Sequence, residues 1–384
     1  MQIDLFDPKD IRANLLPFTY TRPVADIRVG ILKIFEKWRH YGFEPGFDTI
    51  DYLSDKFKSN SSPLKVNGAL CPDKDVVVAI KALKEGEGLI CNGHVLASFG
   101  EISASVDYNQ EVRIIAQPWD IFSSNREQIL ADFPLVTAGR TSQPITDPHT
   151  IVYGAGNLFI EEGATIRAAI INAENGPVYI GKNAVVHEGA IIKGAFALCE
   201  GSHVNMGAKI KGDTTIGPFS KVGGEVGNSV IFGYTNKGHE GYLGNSVLGE
   251  WCNIGADTNT SNLKNNYAAV KLWSYSKGGF ANTGLQFCGL MMGDHAKCGI
   301  NTMFNTGTVV GVGASVFGAG YPRNFVPSFS WGGANGFITF QPRKFYEVAK
   351  AVMDRRKLDF DDQEKAIIDK VFADTAAYRI WDKK

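Results

Sequence analysis

The sequence lacks the features that mark membrane, secreted and nucleic-acid-binding proteins. No apolar run approaches the roughly 18 residues of a membrane span, and the start, MQIDLFDPKD, has neither the basic region nor the apolar core of a signal peptide. A net charge of −1 and a pI of about 6.7 offer no basic surface for nucleic acid or an anionic membrane. The six cysteines show no paired spacing, which is typical of a reducing compartment. We therefore expect a cytoplasmic protein without a nucleic-acid or membrane partner.

Possible zinc ligands cluster in one part of the sequence. Cys288, Asp294, His295 and Cys298 lie close together, but their separation is not a standard zinc spacing. Cys298 also belongs to the repeat described next. We therefore predict no metal site here.

The middle of the chain carries a repeat in which an aliphatic residue returns at every sixth position. The first series is Ile180, Val186, Ile192, Leu198, Val204, Ile210, Ile216 and Val222, and it resumes at Leu248 and Ile254 and again at Met292, Cys298, Phe304, Val310 and Val316. Small residues mostly stand two positions before each member. Because residues i and i−2 of a strand point to the same side, each hexad offers one bulky and one small inward side chain. A fixed period of this kind predicts a parallel β-helix, which we place at about 151–330.

The flanking segments show different patterns. Residues 1–115 indicate an α/β domain, with a helix expected at Ile27–Trp38, and residues 116–150 form a connector. The tail, 331–384, contains two helical stretches that we place at 343–356 and 361–378.

The repeat is interrupted twice, by Gly233–Gly244 and by Gly255–Gly289. A β-helix has no concave pocket of its own, so a binding site is expected where loops lie beside a neighbouring coil or subunit. The first interruption, GYTNKGHEGYLG, contains His239. From the residues alone this histidine is either a general base or a solvated loop residue.

The stretch GHEGYLGNSVLGEWCNIGADTNTSNLKNN resembles the acetyltransferase core of the bifunctional UDP-N-acetylglucosamine pyrophosphorylase/glucosamine-1-phosphate N-acetyltransferase family. Residues 225–239, EVGNSVIFGYTNKGH, are similar to the sugar-phosphate nucleotidyltransferases that share this domain. The resemblance implies a left-handed β-helix and a homotrimer. It also implies N-acetylation of an amino-sugar phosphate of the glucosamine 1-phosphate type by acetyl-CoA, in sugar-nucleotide biosynthesis.

The same resemblance assigns site residues. His239 matches the base that takes the proton from the attacking amine, and the amide of Ala256 matches the donor that stabilises the oxyanion. Tyr242, Asn253 and Asn262 match residues that line the sugar site.

The chain also departs from the family pattern. Glu225 matches a family glutamate, but Gly227 replaces the phosphate-binding lysine that follows it. Lys237 and Lys264 are candidates to supply that charge, or else ordinary solvated lysines. Asp294 stands where a CoA-contacting serine is expected.

The N-terminal segments LLPFTYTRPVADIRVGILKI and VNGALCPDKDVVVAIKAL are similar to those of sugar-nucleotide pyrophosphorylases. Residues 5–15 contain no glycine to wrap a triphosphate, and Ala69 replaces the aspartate that would hold Mg²⁺. We therefore predict a truncated, Rossmann-like, degenerate nucleotidyltransferase domain, with Mg²⁺ used only if it is active. Arg22 and Arg28 are either phosphate ligands or surface or ion-pair residues. Two alternatives stay open: a UDP- or dTDP-sugar pyrophosphorylase, and a non-catalytic trimeric scaffold that binds a sugar nucleotide.

Overall fold

A computed structural model describes residues 1–383, which form two compact units. The first unit comprises Met1–Ile27 and Leu32–Gln117, and the second comprises Arg28–Ile31 and the chain from Pro118 onward. The first unit is α/β and the second contains a parallel β-helix with helical segments before and after it. The predicted fold class, an α/β domain followed by a parallel β-helix and a helical tail, is confirmed, and the left-handed sense of the helix stays a prediction.

The first unit is built on one six-stranded mixed sheet. The strands are ordered Glu44–Asp48, Gln2–Phe6, Leu64–Asn67, His94–Phe99, Glu87–Cys91 and Ala104–Asp107, and a separate antiparallel pair joins Leu70–Cys71 to Arg113–Ile114. The first three strands run parallel, whereas both neighbours of His94–Phe99 are antiparallel to it. The α-helices are Lys9–Asn14, Ile34–His40, Asp51–Ser54 and Lys74–Lys81, with 3₁₀ turns at Phe18–Tyr20 and Val24–Asp26.

The helix predicted at Ile27–Trp38 begins only at Ile34. The backbone before it bonds elsewhere: Gly30 N–H donates to Asn125 Oδ1 at 2.7 Å, and Ile31 N–H donates to Asp132 Oδ2 at 2.9 Å. Since a helix that began at Ile27 would need the Ile31 N–H for its own ladder, these contacts hold the segment before Ile34 in another conformation.

The two arginines predicted as phosphate ligands are buried within the protein. Arg22 forms an ion pair with Asp26 at 3.1 Å. Arg28 donates to the carbonyl oxygen of Phe232 at 3.2 Å. Neither guanidinium therefore faces solvent, and the prediction that they bind a phosphate is not supported.

The β-helix has three parallel faces that the chain visits in turn. The first face comprises Leu158–Ile160, Val178–Ile180, Phe196–Leu198, Thr214–Ile216, Val230–Gly233, Val247–Glu250, Leu290–Met292, Thr308–Val310 and Phe325–Val326. The second face comprises Thr165–Ile166, Val185–Val186, His203–Val204, Lys221–Val222, Asn236–Lys237, Asn253–Ile254, Lys297–Cys298, Ser315–Val316, Ser330–Gly333 and, antiparallel at the edge, Gly336–Thr339. The third face comprises Ile151–Tyr153, Ile170–Asn172, Ile191–Lys193, Lys209–Lys211, Glu225–Gly227 and Tyr242–Gly244, and further along the chain Asn259–Thr260 pairs with Met303–Phe304.

The six-residue ladder is the core of this helix, as predicted. Every member of the series is at most 5% exposed, and the small residues two positions earlier are buried beside them. Burying each large aliphatic side chain contributes on the order of 1.5–3 kcal/mol before entropy is subtracted.

The first predicted interruption is not a loop. The coils continue through it with two buried inward residues, Lys237 and Leu243, which follow Val226 and Ile231 of the coils before it. The period is hidden because several turns are one or two residues shorter and because one inward residue is a lysine. The second interruption is an insertion that contains the antiparallel hairpin Lys271–Ser274/Gly279–Asn282.

Four α-helices flank the β-helix within the second unit: Pro118–Ser123, Asn125–Thr137, Pro342–Asp354 and Asp362–Asp374. Short 3₁₀ segments lie at Ala155–Asn157, Ala376–Tyr378 and Ile380–Lys383. The first tail helix buries Phe345, whose ring packs edge-on against Phe329 and His295. Within residues 1–383, no helix combines the length and apolar character needed to cross a membrane.

Candidate functional site

The turn that carries His239 lies at the corner between the second and third faces. It follows the strand Asn236–Lys237, and the histidine is exposed. Asn236 pairs in register with Asn253 of the next coil, and His239 and Ala256 each stand three positions later. The structure therefore places the predicted base and the predicted oxyanion donor at equivalent corners of adjacent coils.

Lys237 is buried at the inward ladder position, where the neighbouring coils carry Val222 and Ile254. Its Nζ donates to the carbonyl oxygens of His239 at 2.6 Å and Glu240 at 3.3 Å. Burial lowers the pKa of this ammonium to about 8. Lys237 was predicted to bind substrate, but the structure turns it inward, where it supports the turn that carries His239.

Tyr242 and Asn262 meet on the third face, beside this corner. Asn262 Nδ2 donates to Tyr242 Oη and to Asn245 Oδ1, both at 2.8 Å. Gly244 makes room for the phenol, because a Cβ there would collide with the Tyr242 hydroxyl. Burial raises the pKa of Tyr242, so the phenol stays protonated. Since its oxygen accepts from Asn262, its hydrogen is free to be donated to a ligand oxygen.

A lysine that the sequence analysis did not assign to the site supplies a positive charge on the same face. Lys211 is in register with Gly227, the position where the family's lysine is missing. Its Nζ forms an ion pair with Glu225 Oε1 at 2.6 Å, and this contact raises the pKa of the lysine. Glu225 is itself in register with Tyr242. The only sequence signal for Lys211 was its outward position on a strand.

The other predicted site residues do not join this cluster within one chain. Asn253 is exposed on the second face, beside Lys297. Lys264 donates to the carbonyl oxygen of Ala269 in the insertion at 3.0 Å. Asp294 lies at another corner, between the first and second faces, where its buried carboxylate accepts from the backbone N–H of Glu250 at 2.9 Å. The structure therefore gives Asp294 a role in a turn rather than a position open to a cofactor.

Cys288 and Cys298, the two cysteines considered as zinc ligands, are free and buried. In the described part of the chain, no group of three or more histidine, cysteine or acidic side chains is arranged to hold a metal ion. Cys298 is in the ladder, and burial raises its pKa and that of Cys288.

Residues 3–141 match a family described as sugar nucleotidyl transferase. Over 95 residues, 24% of this chain, the sequence is 38% identical to the bifunctional protein GlmU of Methanocaldococcus jannaschii, of which it covers 22%. Over 215 residues, 53% of this chain, it is 30% identical to the bifunctional protein GlmU of Methanococcus vannielii, of which it covers 42%. The predicted resemblance is confirmed. The chain nevertheless spans less than half the length of these curated relatives.

Among solved structures, the polySia-specific acetyltransferase NeuO aligns with 51% of this chain and 85% of its own, at a TM-score of 0.26 and 15% identity. An Arabidopsis UDP-N-acetylglucosamine acyltransferase aligns with 53% of this chain and 77% of its own, at a TM-score of 0.25 and 15% identity. Such distant alignments identify neither the site residues nor the substrate of this chain.

Proposed function

We propose that this protein is an acyl-CoA-dependent N-acetyltransferase that acts on an amino-sugar phosphate of the glucosamine 1-phosphate type. The observation that carries the proposal is the arrangement of one corner of the β-helix. There, His239 and Ala256 occupy equivalent turns of adjacent coils, and the hydrogen-bonded pair Tyr242–Asn262 lies on the adjoining face. The similarity to the bifunctional GlmU proteins supports it.

The proposed reaction assigns one task to each of these groups. His239 takes a proton from the sugar amine as the nitrogen attacks the thioester carbonyl of acetyl-CoA. The N–H of Ala256 donates to the oxyanion of the tetrahedral intermediate. The C–S bond then breaks, and the CoA thiolate takes up the proton. The Tyr242 hydroxyl and the Asn262 amide orient the sugar, and acetyl-CoA is a cosubstrate.

Thiol release from acetyl-CoA across a panel of amino-sugar phosphates tests the proposal. We expect turnover with glucosamine 1-phosphate or a close relative and none with the N-acetylated sugar, which has no free amine. Product N-acetylation is confirmed by mass spectrometry. A folded protein that turns over no member of the panel would contradict the acyltransferase assignment.

The family match of residues 3–141 favours a second candidate, a sugar-1-phosphate nucleotidyltransferase. The contacts of Asp7, which directly follows the first strand, are evidence against nucleotidyl transfer by this domain. Asp7 there is occupied by internal partners, at 2.8 Å from Arg12 Nη1, 2.6 Å from Thr49 Oγ1 and 2.8 Å from Val24 N–H. Burial also raises the pKa of this carboxyl. Pyrophosphate release from UTP or dTTP with sugar 1-phosphates and Mg²⁺ decides between a catalytic and a degenerate domain.

The proposal includes a cytoplasmic homotrimer. Its support is an outward row of isoleucines in register on the third face, Ile151, Ile170 and Ile191, each 37–49% exposed in the single chain. Stacked apolar side chains in water are a liability that burial against another copy removes.

Replacing Ile170 and Ile191 by lysine should convert the trimer to monomer, because six charges would be placed in the interface. Size-exclusion chromatography with light scattering measures the mass directly. Lysine at Ile338, which is 60% exposed on an edge strand, is the matched control and should leave the trimer intact. A wild-type protein that is monomeric, or a double variant that remains trimeric, would contradict the prediction.

A further inference from the structure

A second polar cleft lies on the outer surface of the second face, under the end of the first tail helix. It has a volume of about 340 Å³, which is within the range of small-molecule sites. Its cationic residues are Lys221 and Lys297 from two coils and the consecutive pair Arg355–Arg356. Tyr234 and Trp251, stacked at 4.3 Å, form one wall.

The four cations form no ion pair with a carboxylate of the described residues. Within residues 1–383, no carboxylate lies within 4.0 Å of any of the four. Lys297 is held in place by donating to the carbonyl oxygen of His295 at 3.0 Å. Like charges gathered in a partly enclosed space repel one another, so this cluster destabilises the protein in the absence of an anion.

Burial first, and neighbouring positive charges second, shift the ionisation of groups in and beside the cleft. Burial, followed by the charge of Arg355, lowers the pKa of Arg356. On the adjoining coil, burial and then Lys221, His187 and Arg356 lower the pKa of His203. Elsewhere in this unit, surface lysines such as Lys350, Lys365 and Lys370 pair with an aspartate on their own helix. The cleft differs from those helix surfaces because its charges converge and stay unpaired.

We propose that this cleft binds a phosphorylated small molecule that brings at least two negative charges. Four converging cations match a diphosphate or two phosphate groups, and arginine donors bind phosphate oxygens in bidentate fashion. The exposed amide of Asn253 lies in the same cleft and can bond to a polar ligand. Anion binding follows from the cleft alone. Only the choice of candidate ligands rests on the proposed function, because the amino-sugar phosphate and the CoA cosubstrate proposed there both carry phosphate.

Calorimetric titration with inorganic pyrophosphate at low ionic strength tests the inference without requiring turnover. We expect the wild-type protein to bind, and the affinity to fall as salt screens the charges. Replacing both exposed cations, Lys221→Ser with Arg355→Ser, should weaken binding about 100-fold, at roughly 10-fold for each charge removed. Asn236→Asp, which adds a negative charge to the cleft lining, should weaken it as well.

The matched control removes two lysines that do not line the cleft, Lys58→Ser with Lys182→Ser, which are 69% and 57% exposed. It makes the same change in net charge and should keep the wild-type affinity. No binding by the wild type, or an equal loss in the control, would overturn the proposal.

Three organic phosphates then distinguish the source of the anion: glucosamine 1-phosphate, a nucleoside diphosphate, and 3′-phosphoadenosine 5′-phosphate, which carries the 3′-phosphate of CoA and one of its two 5′-phosphates. The proposal is supported if one of the three binds more tightly than pyrophosphate and if the double variant Lys221→Ser/Arg355→Ser loses that binding. Pyrophosphate binding with none of the three would mean a site for adventitious anions only, and the proposal would fail. Because these are binding measurements, they can succeed even if acyl transfer is absent.

Discussion

Replacing His239 by alanine should reduce acetyl transfer by about 10²–10⁴-fold, the range typical of losing a general base. The loss should be in kcat, because the proposed role of the imidazole is to take a proton rather than to bind the sugar. His239 is exposed and its side chain has no hydrogen-bond partner among residues 1–383. The thermal midpoint of the variant should therefore match that of the wild type.

His149→Ala is the matched control, since that histidine is also exposed and lies outside the corner. It should leave both kcat and KM unchanged. If His239→Ala keeps most of the wild-type kcat, the base is another group, and the role assigned to this corner is wrong. If both alanine variants lose activity together with their thermal midpoint, the loss reports folding.

The second large effect is expected from Lys237→Met, in which stability and activity should change in opposite directions. At neutral pH the variant should be at least as stable as the wild type, because a methionine fits the inward ladder position without a buried charge. Its kcat should fall about 10-fold, because the carbonyl groups of His239 and Glu240 lose their shared donor. Lys237 thus acts as a positioning residue.

The pH dependence of stability tests the burial of Lys237 independently of activity. The pKa of Lys237 is about 8 in the folded protein, whereas an unfolded lysine has a pKa of about 10.4. As the pH rises from about 8 to about 10.4, Lys237 releases its proton in the folded protein but keeps it in the unfolded chain. The unfolded state then binds more protons, so the free energy of unfolding of the wild type rises by up to about 3 kcal/mol. The Lys237→Met variant lacks this rise.

Denaturant titration gives the free energy of unfolding of the wild type and of Lys237→Met at pH 7, 8, 9 and 10. The difference between the two proteins at each pH cancels the contributions of the other titrating groups. Lys264→Met is the matched control, because Lys264 also donates to a backbone carbonyl but lies in the insertion. It should change neither kcat nor the pH slope. A Lys237→Met variant with full kcat and the wild-type slope would contradict the role assigned to this lysine.

The β-helix was predictable because its core is one-dimensional. Each coil contacts only its neighbours, so a fixed period in the sequence maps directly onto a stacked row in space. The row breaks at the insertion after Ile254 and also between Val222 and Leu248, where shorter turns move the inward position by one or two residues. A sequence period cannot follow such a change, whereas the hydrogen-bonded register of the coils is unaffected by it.

The site was partly predictable. The motif around His239, Tyr242 and Asn262 is contiguous enough to be read from the sequence, and the structure brings Tyr242 and Asn262 into contact. Whether a lysine faces inward or outward depends on which coil it joins and in which register. Lys237 was consequently predicted to bind substrate but is buried, whereas Lys211 faces outward, as its strand position indicates, and was not predicted to belong to the site.

By itself, the sequence determined the repeat, the fold class it requires and the segment in which the chemistry is proposed, because these depend on local spacing. Only the tertiary structure decided that Lys237 supports the His239 turn, that Asp294 is buried in another corner, and that Lys221, Lys297 and the Arg355–Arg356 pair converge. Those relations join residues on different coils or on the tail. They arise from packing and register, which no short pattern in the chain encodes.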